Sequence, residues 1–357
     1  MKKLSAFLYV AECLFICMAI VLSLLNIDFE KMLGKATCFS VAAAIPDGLS
    51  YSMTLKADPA ASDSPKPDFE VVPDQNETDG ILPPESSTVD EALMGNVIKR
   101  SILTASGNIS SGTLYINNNT DAAVDIDAEL SAPLSFKVTK DDTAQILIYH
   151  THTTESFMTD EQSYYSNNDE PRSTDPSRNI VAVGEKIAEQ LRNAGYTVIH
   201  DTTVHDYPGF TGSYSRSAET VNKVLSENPN IKIAIDVHRD SIASGDGAKV
   251  APVVIVDGRE AAQVMLVMGS ETGNVSGYPN WRENLRLAIQ LQQQMVNDYQ
   301  YLARSILLRS AKYNQNLTAG SILIEMGSDA NTFDQAIYSG ELVGKSLAVM
   351  LDEKGKE

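Results

Sequence analysis

The chain is 357 residues long and carries a formal net charge of −19, with 28 lysines and arginines against 47 aspartates and glutamates. That acidity excludes nucleic acid as a natural partner, because a polyanion calls for a basic surface. Cys13, Cys17 and Cys38 are the whole cysteine complement, so beyond them there is neither a disulfide framework nor a thiolate metal site, and a metal there must be held by nitrogen and oxygen.

Residues 4–25 form an apolar run long enough to cross a bilayer. Lys2 and Lys3 precede it and favour a cytoplasmic amino terminus. The run exceeds the apolar core of a signal peptide, and no clear small-residue cleavage site follows. Glu12 is the one costly residue inside it. The expectation is a single-pass membrane anchor over 1–27 that leaves nearly all of the chain outside the cytoplasm. Residues 28–91 are expected to be a tether. From Leu55 to Glu91 the chain is acidic, rich in proline and poor in aromatics, as in Asp63-Ser64-Pro65-Lys66-Pro67 and Pro83-Pro84-Glu85, the composition of an extended, disordered spacer.

Residues 92–143 hold two alternating runs, Thr113–Ile116 and Val124–Leu130, separated by three asparagines. They read as a small β element or an entry segment. From 144 to 357, apolar runs alternate with amphipathic stretches, which predicts one α/β domain. A helix starts near Ser177 with Ile180, Val183, Ile187 and Leu191 on one face, and Gly195 closes it. A strand over Tyr196–Ile199 and a helix over Arg216–Glu227 follow. Val250–Val256 and Ala261–Met268 read as strands, Trp281–Leu308 as a long helical pattern with room for one break, and Thr332–Leu351 as the closing helix. The fold class is α/β: a doubly wound, mostly parallel sheet with helices on both faces, preceded by a transmembrane helix and a disordered tether.

Three polar groups each end an apolar β-type run. His150-Thr151-His152-Thr153-Thr154-Glu155 follows Gln145–Tyr149, His238-Arg239-Asp240 follows Ile233–Val237, and Glu325-Met326-Gly327 follows Ile322–Ile324. In open α/β sheets, ligands and catalytic groups gather beyond the carboxyl ends of the strands. Imidazoles and carboxylates arriving there together suit a catalytic zinc with one open position, leaving a carboxylate to act as base. His200 and His205 lie in or beside a loop after a strand, where a solvated or locally hydrogen-bonded ring is expected.

Those motifs, with Pro279-Asn280-Trp281-Arg282-Glu283-Asn284 and Tyr313-Asn314-Gln315-Asn316-Leu317, resemble the stage II sporulation protein P family over about 130–345. The resemblance implies a membrane-anchored peptidoglycan hydrolase of endospore-forming bacteria. Its activity would be that of an N-acetylmuramoyl-L-alanine amidase, with cleavage of peptide cross-links besides. It implies a septal membrane location, a role in engulfment, and two partners: sporulation protein D, a lytic transglycosylase, and sporulation protein M, a membrane protein.

More distantly the domain is similar to zinc amidases of the amidase-3 type. On that similarity His152 and His238 are metal ligands, Glu325 is the catalytic base, and Asn331 is the asparagine that follows it. The chain departs from those amidases where they place a ligand glutamate at a helix start, since it reads Asp175-Pro176-Ser177-Arg178-Asn179 there. Glu155 is the preferred third ligand, with Glu185 and Asp236 as alternatives. His150 is a further possible ligand, an outer donor or a proton relay. Arg239 could stabilise an oxyanion or hold a substrate carboxylate through a bidentate fork, or pair with Asp236 or Asp240. Two other readings remain: a catalytically inactive scaffold that binds peptidoglycan, and a zinc carboxypeptidase or endopeptidase confined to the stem peptide.

Overall fold

The computed structural model describes residues 95–102, 106–165 and 171–355, all within the unit Pro59–Glu357. The expected anchor and tether lie outside the described residues. Among the described residues no helix is long and apolar enough to cross a membrane.

In chain order the elements are β1 (Gly95–Arg100), β2 (Ile109–Ser111), β3 (Leu114–Asn118), α1 (Ile126–Ser131), β4 (Ile146–Tyr149) and β5 (Tyr164–Tyr165). Next come α2 (Ile180–Asn193), β6 (Val198–His200), α3 (Ser213–Glu227), β7 (Ile233–Asp240), β8 (Lys249–Val256), β9 (Arg259–Ala262) and β10 (Val264–Gly269). The chain closes with α4 (Trp281–Asp298), β11 (Ile306–Arg309), β12 (Gly320–Ser328) and α5 (Phe333–Lys354).

Eight strands form the main sheet, in the order β2-β3-β11-β10-β12-β7-β4-β6. β6, β4, β7 and β12 are mutually parallel, as are β10, β11 and β3. β10 and β12 meet antiparallel in the middle, and β2 turns back against β3. The sheet is thus two parallel blocks of opposite direction, which corrects the expected doubly wound plan. The chain reverses direction from β3 to β4, from β7 to β10 through the smaller sheet's strands, and again in the link from β11 to β12. That last link holds only a short turn, Gln315–Leu317, with no crossover helix to carry the chain back to a parallel start. A smaller sheet, β5-β1-β8-β9, lies outside this one.

Strand alternation sorts the core into two layers. Ile146, Ile148, Ile233, Ile235, Val237, Ile322 and Ile324 join the large cluster that α2, α4 and α5 cover. Leu147, Tyr149 and Ala234 face the other way, under Val221 and Val224 of α3. Helices therefore cover both faces, as expected.

Four sequence-based boundaries need refining. Ala261–Met268 is not one strand, since it spans β9 and β10, which lie in different sheets. Val124–Leu130 contributes a helix, not a strand, because the Asp125 side chain accepts from Ala128 N–H and caps α1. The pattern over 281–308 divides, with α4 ending at Asp298 and Ile306–Arg309 forming β11. Residues 92–143 do not stand apart from 144–357, since β3 pairs with β11 inside the main sheet. The closing helix starts as expected, with Thr332 and Gln335 forming a reciprocal capping box.

Candidate active site

β4, β7 and β12 are neighbours that run in one direction, so their carboxyl ends arrive together. Tyr149 is the Cα partner of Asp236, and Glu325 is the Cα partner of His238. The turn after β4 adds His152 and Glu155. The backbone of Glu155 is pinned at the start of α2, where its carbonyl accepts from Ile180 N–H at 2.8 Å. The expected residues His152, Glu155, His238 and Glu325 are therefore gathered at one place.

The imidazoles of His152 and His238 stand edge to face, 5.1 Å between centroids. Phe210 stacks on His152 at 4.5 Å, and the Arg172 guanidinium covers the far side of Phe210 at 4.3 Å. Tyr214 lies against both histidines. Asp206 joins this wall to the His152 turn, accepting from Arg172 Nη1 at 2.5 Å and from Thr154 N–H at 3.0 Å.

His238 is held between two carboxylates. Its Nε2 is 2.9 Å from Asp236 Oδ1 and its Nδ1 is 3.7 Å from Glu155 Oε2. The Nε2–H points off the line to Asp236, so that contact is an ion pair and not an aligned hydrogen bond. Burial opposes a charged ring, but the Asp236 carboxylate outweighs it and lifts His238 to about 10. Burial also acts against Asp236, yet His238 and the Thr151 hydrogen bonds keep it below the usual carboxylate range. Burial and the nearby His238 hold His152 well below the ordinary histidine value. Glu325 is pushed up to about 8, first by burial and next by the Asp240 carboxylate.

As the side chains stand, no group of three or more histidines, cysteines, aspartates or glutamates among the described residues forms a cage for a metal ion. The donor chemistry nonetheless fits zinc in two respects. His152 Nδ1 and Glu325 Oε2 are buried with no hydrogen-bond partner, which is costly for polar atoms left alone. The 3.7 Å between His238 Nδ1 and Glu155 Oε2 is too long for a hydrogen bond. Two tetrahedral zinc ligands at ordinary bond lengths stand about 3.4 Å apart, close to that spacing.

The other expected residues have different work. Glu185 Oε1 pairs with Arg192 at 2.7 Å and its Oε2 accepts from His200 Nδ1–H at 2.8 Å, so it is not at the site. His150 Nδ1–H donates to Val237 O at 3.0 Å, and its Nε2 faces His200 Nε2 at 2.9 Å, a contact that needs one further proton between the two rings, so neither nitrogen is available as a ligand. Burial and the nearby His200 take His150 down to about 3. His205 is buried and not solvated, with Nδ1–H donating to His150 O at 2.7 Å and Nε2 2.9 Å from Thr220 Oγ1.

Arg239 spends its guanidinium on backbone carbonyls, Ser156 O at 2.9 Å and Pro171 O at 2.6 Å among them. It braces the loop over the site, and its own backbone N–H donates to Glu155 Oε2 at 2.9 Å. Asn331 is fully buried. Its Oδ1 accepts from Ser328 N–H at 2.8 Å and its Nδ2 donates to Gln335 Oε1 at 2.8 Å, so it holds the turn after β12 and does not face a substrate. Sequence reasoning missed Phe210, Tyr214 and Arg172, which carry no local signal. It listed Asp236 only as a spare ligand, although the Asp236-x-His238 spacing puts both on one face of β7.

Fold and site together define a mixed α/β protein with a histidine and carboxylate cluster at its strand ends. The family model of Stage II sporulation protein P matches residues 71–348, most of the chain, and the chain belongs to that family. It is 26% identical over 210 residues to the stage II sporulation protein P of Bacillus subtilis (strain 168), covering 56% of this chain and 49% of that protein. The chain thus spans about half the length of the curated relative it matches. Among solved structures it is similar to the N-acetylmuramoyl-L-alanine amidase AmiC2 of Nostoc punctiforme, at 12% identity and a TM-score of 0.36, over 62% of this chain and 99% of that one. It is also similar to the CwlD amidase of Clostridioides difficile in complex with the GerS lipoprotein, at 12% identity and a TM-score of 0.34, over 59% and 98%.

Proposed function

We propose that the chain is a zinc-dependent peptidoglycan hydrolase that cleaves the amide between N-acetylmuramic acid and L-alanine of the stem peptide during endospore formation. The observation that carries this reading is the meeting of His152, Glu155, His238 and Glu325 at adjacent strand ends, with the Glu325 Oε2 and His152 Nδ1 atoms buried and unpartnered. His152, Glu155 and His238 would hold the metal. When bound, zinc supplies Lewis acidity to the scissile carbonyl and makes a water acidic near neutral pH.

Glu325 takes a proton at Oε2 and later gives it to the leaving amine. Phe210, Tyr214 and the loop braced by Arg239 pack around the cluster and limit water there. Membrane anchoring through residues 4–25, a catalytic domain outside the cytoplasm in the septal membrane, partnership with sporulation proteins D and M, and added cross-link cleavage belong to the same proposal.

The deciding experiment is mass spectrometry of sacculi digested with the full chain and zinc. Release of intact stem peptides from glycan supports the amidase. Split cross-links with stems still attached favour an endopeptidase, and no products favour a scaffold. Protease treatment of intact protoplasts checks the topology, and a protected domain would overturn the anchor orientation.

A further inference from the structure

Behind His238 runs a chain of buried hydrogen bonds whose direction follows from proton counting. Asp236 is fully buried, and as a carboxylate it only accepts. Its Oδ2 takes the Thr151 hydroxyl proton at 2.6 Å, and its Oδ1 takes Thr151 N–H at 2.8 Å. With that proton committed, Thr151 Oγ1 accepts from the Ser217 hydroxyl at 2.8 Å; this is the shorter of that hydroxyl's two contacts, the other being Tyr214 O at 3.2 Å, which Asn314 already supplies with a donor. Ser217 Oγ in turn accepts from Asn314 Nδ2–H at 2.9 Å. The other Asn314 amide contact runs to Tyr214 O, also at 2.9 Å. Asn314 sits in the left-handed region with φ 55°, a conformation that asparagine tolerates better than most residues. The bonds therefore point one way, from Asn314 through Ser217 and Thr151 to Asp236, and each strengthens the next.

At its far end, Asp236 stands on the Nε2 side of His238 while Glu155 stands on the Nδ1 side. A carboxylate facing Nε2 keeps a proton on that nitrogen and leaves the Nδ1 lone pair for a ligand. We propose that Asp236 is a positioning residue that selects Nδ1 of His238 as its metal-binding atom, and that Asn314, Ser217 and Thr151 fix Asp236 for that task. The proposal rests on the zinc reading above and deepens it. It removes Asp236 from the candidate ligands, because its two oxygens are spent on Thr151 and on the far nitrogen of His238. It also gives a task to a turn, Tyr313-Asn314, that lies in a different part of the chain from every proposed ligand.

The test uses the full chain, zinc with a competing chelator, and cobalt(II) as a spectroscopic stand-in. Asp236→Asn places an amide beside Nε2 and should weaken zinc roughly 10- to 100-fold, the usual cost of losing an outer partner of a metal-binding histidine. Its cobalt absorption bands should change with it. Asn314→Gly keeps the left-handed backbone, removes the donor, and should weaken zinc roughly 3- to 10-fold, one neutral hydrogen bond's worth. This second variant decides the matter if Asp236→Asn does not fold. Wild-type affinity and an unchanged cobalt spectrum in either folded variant would overturn the proposal. Proton NMR of the metal-free chain gives an independent reading. The Nε2–H resonance of His238 should be slow to exchange in the wild type and lost to fast exchange in Asp236→Asn. If the wild type takes up neither zinc nor cobalt, the zinc reading falls. The imidazole resonance then still decides whether Asp236 holds the ring, and an unchanged resonance in Asp236→Asn overturns that too.

Discussion

Glu325 lies directly across from His238 in the parallel register of β12 and β7, so two strands far apart in sequence deliver the base and an imidazole to the same depth. Glu325 is pushed up to about 8 by burial and by Asp240, with His238 opposing. Removing its acidity without removing its bulk should separate catalysis from metal binding. Glu325→Gln is expected to retain zinc while turnover falls about 10²- to 10⁴-fold, the range for a general base. Metal analysis and sacculus digestion on one preparation check this, and a zinc-free Glu325→Gln would contradict the assigned role.

The ligand assignment makes the opposite expectation for the histidines. His152→Ala and His238→Ala should each lose zinc along with hydrolysis, since either removes one of three protein ligands. Glu155→Gln should weaken zinc without unfolding the chain, because an amide oxygen can still accept from Arg239 N–H, now 2.9 Å away. Chelator competition followed by metal analysis reads all three. Full zinc occupancy in either histidine variant would remove that residue from the site.

Stability of the metal-free chain should depend on Glu325 with a definite sign. Its folded value, about 8, lies above the ordinary 4.5. The fold thus favours the protonated form, and this contribution is complete below the ordinary value and lost as pH rises through the folded one. Glu325→Gln cannot ionise, so its melting temperature should exceed that of the wild type at pH 9 and match it at about pH 4, below the ordinary value. Thermal melts in chelator at the two pH values test it, and a variant that is less stable at pH 9 would show that Glu325 is not strained by ionisation.

The three site motifs were legible because each interrupts an apolar run with charged or imidazole groups, and strands β4, β7 and β12 could hardly be read otherwise. Legibility failed where one residue pattern serves two structures. Ile306-Leu307-Leu308 continues the helical spacing of α4 but pairs as β11 with Ile116, Asn117 and Asn118, a choice set by the sheet and not by local preference. The direction of β12 was hidden for the same reason, since nothing in Gly320–Ser328 says which neighbour it will find. Phe210 and Arg172 were hidden because stacking on His152 depends on how two loops fold over the strand ends. The roles of His150 and Glu185 stayed open because their partner, His200, comes from the edge strand β6.

That buried histidine pair depends on a glycine. Gly184 is on the face of α2 that meets His150 and His200, and a Cβ built there would lie 2.6 Å from His150 Cε1, 2.7 Å from its Nε2 and 3.1 Å from His200 Nε2. Glycine inside a helix ordinarily costs about 1 kcal/mol relative to alanine, so Gly184→Ala would be stabilising if there were room. There is none. His150 is fully buried and cannot retreat, because its Nδ1–H is committed to Val237 O at 3.0 Å. Overpacking a rigid core costs about 1–3 kcal/mol, which meets or exceeds the helical gain, and the displaced ring would also pull on the carbonyl next to His238. Gly184→Ala is therefore expected to lower the melting temperature. His150→Ala opens the space that the new methyl needs, so the double variant should be more stable than the two single losses added together, a coupling expected of residues in contact. Thermal or urea melts of the four proteins measure it. A Gly184→Ala chain that melts higher than the wild type, or strictly additive losses, would show that the helix does not pack against the ring.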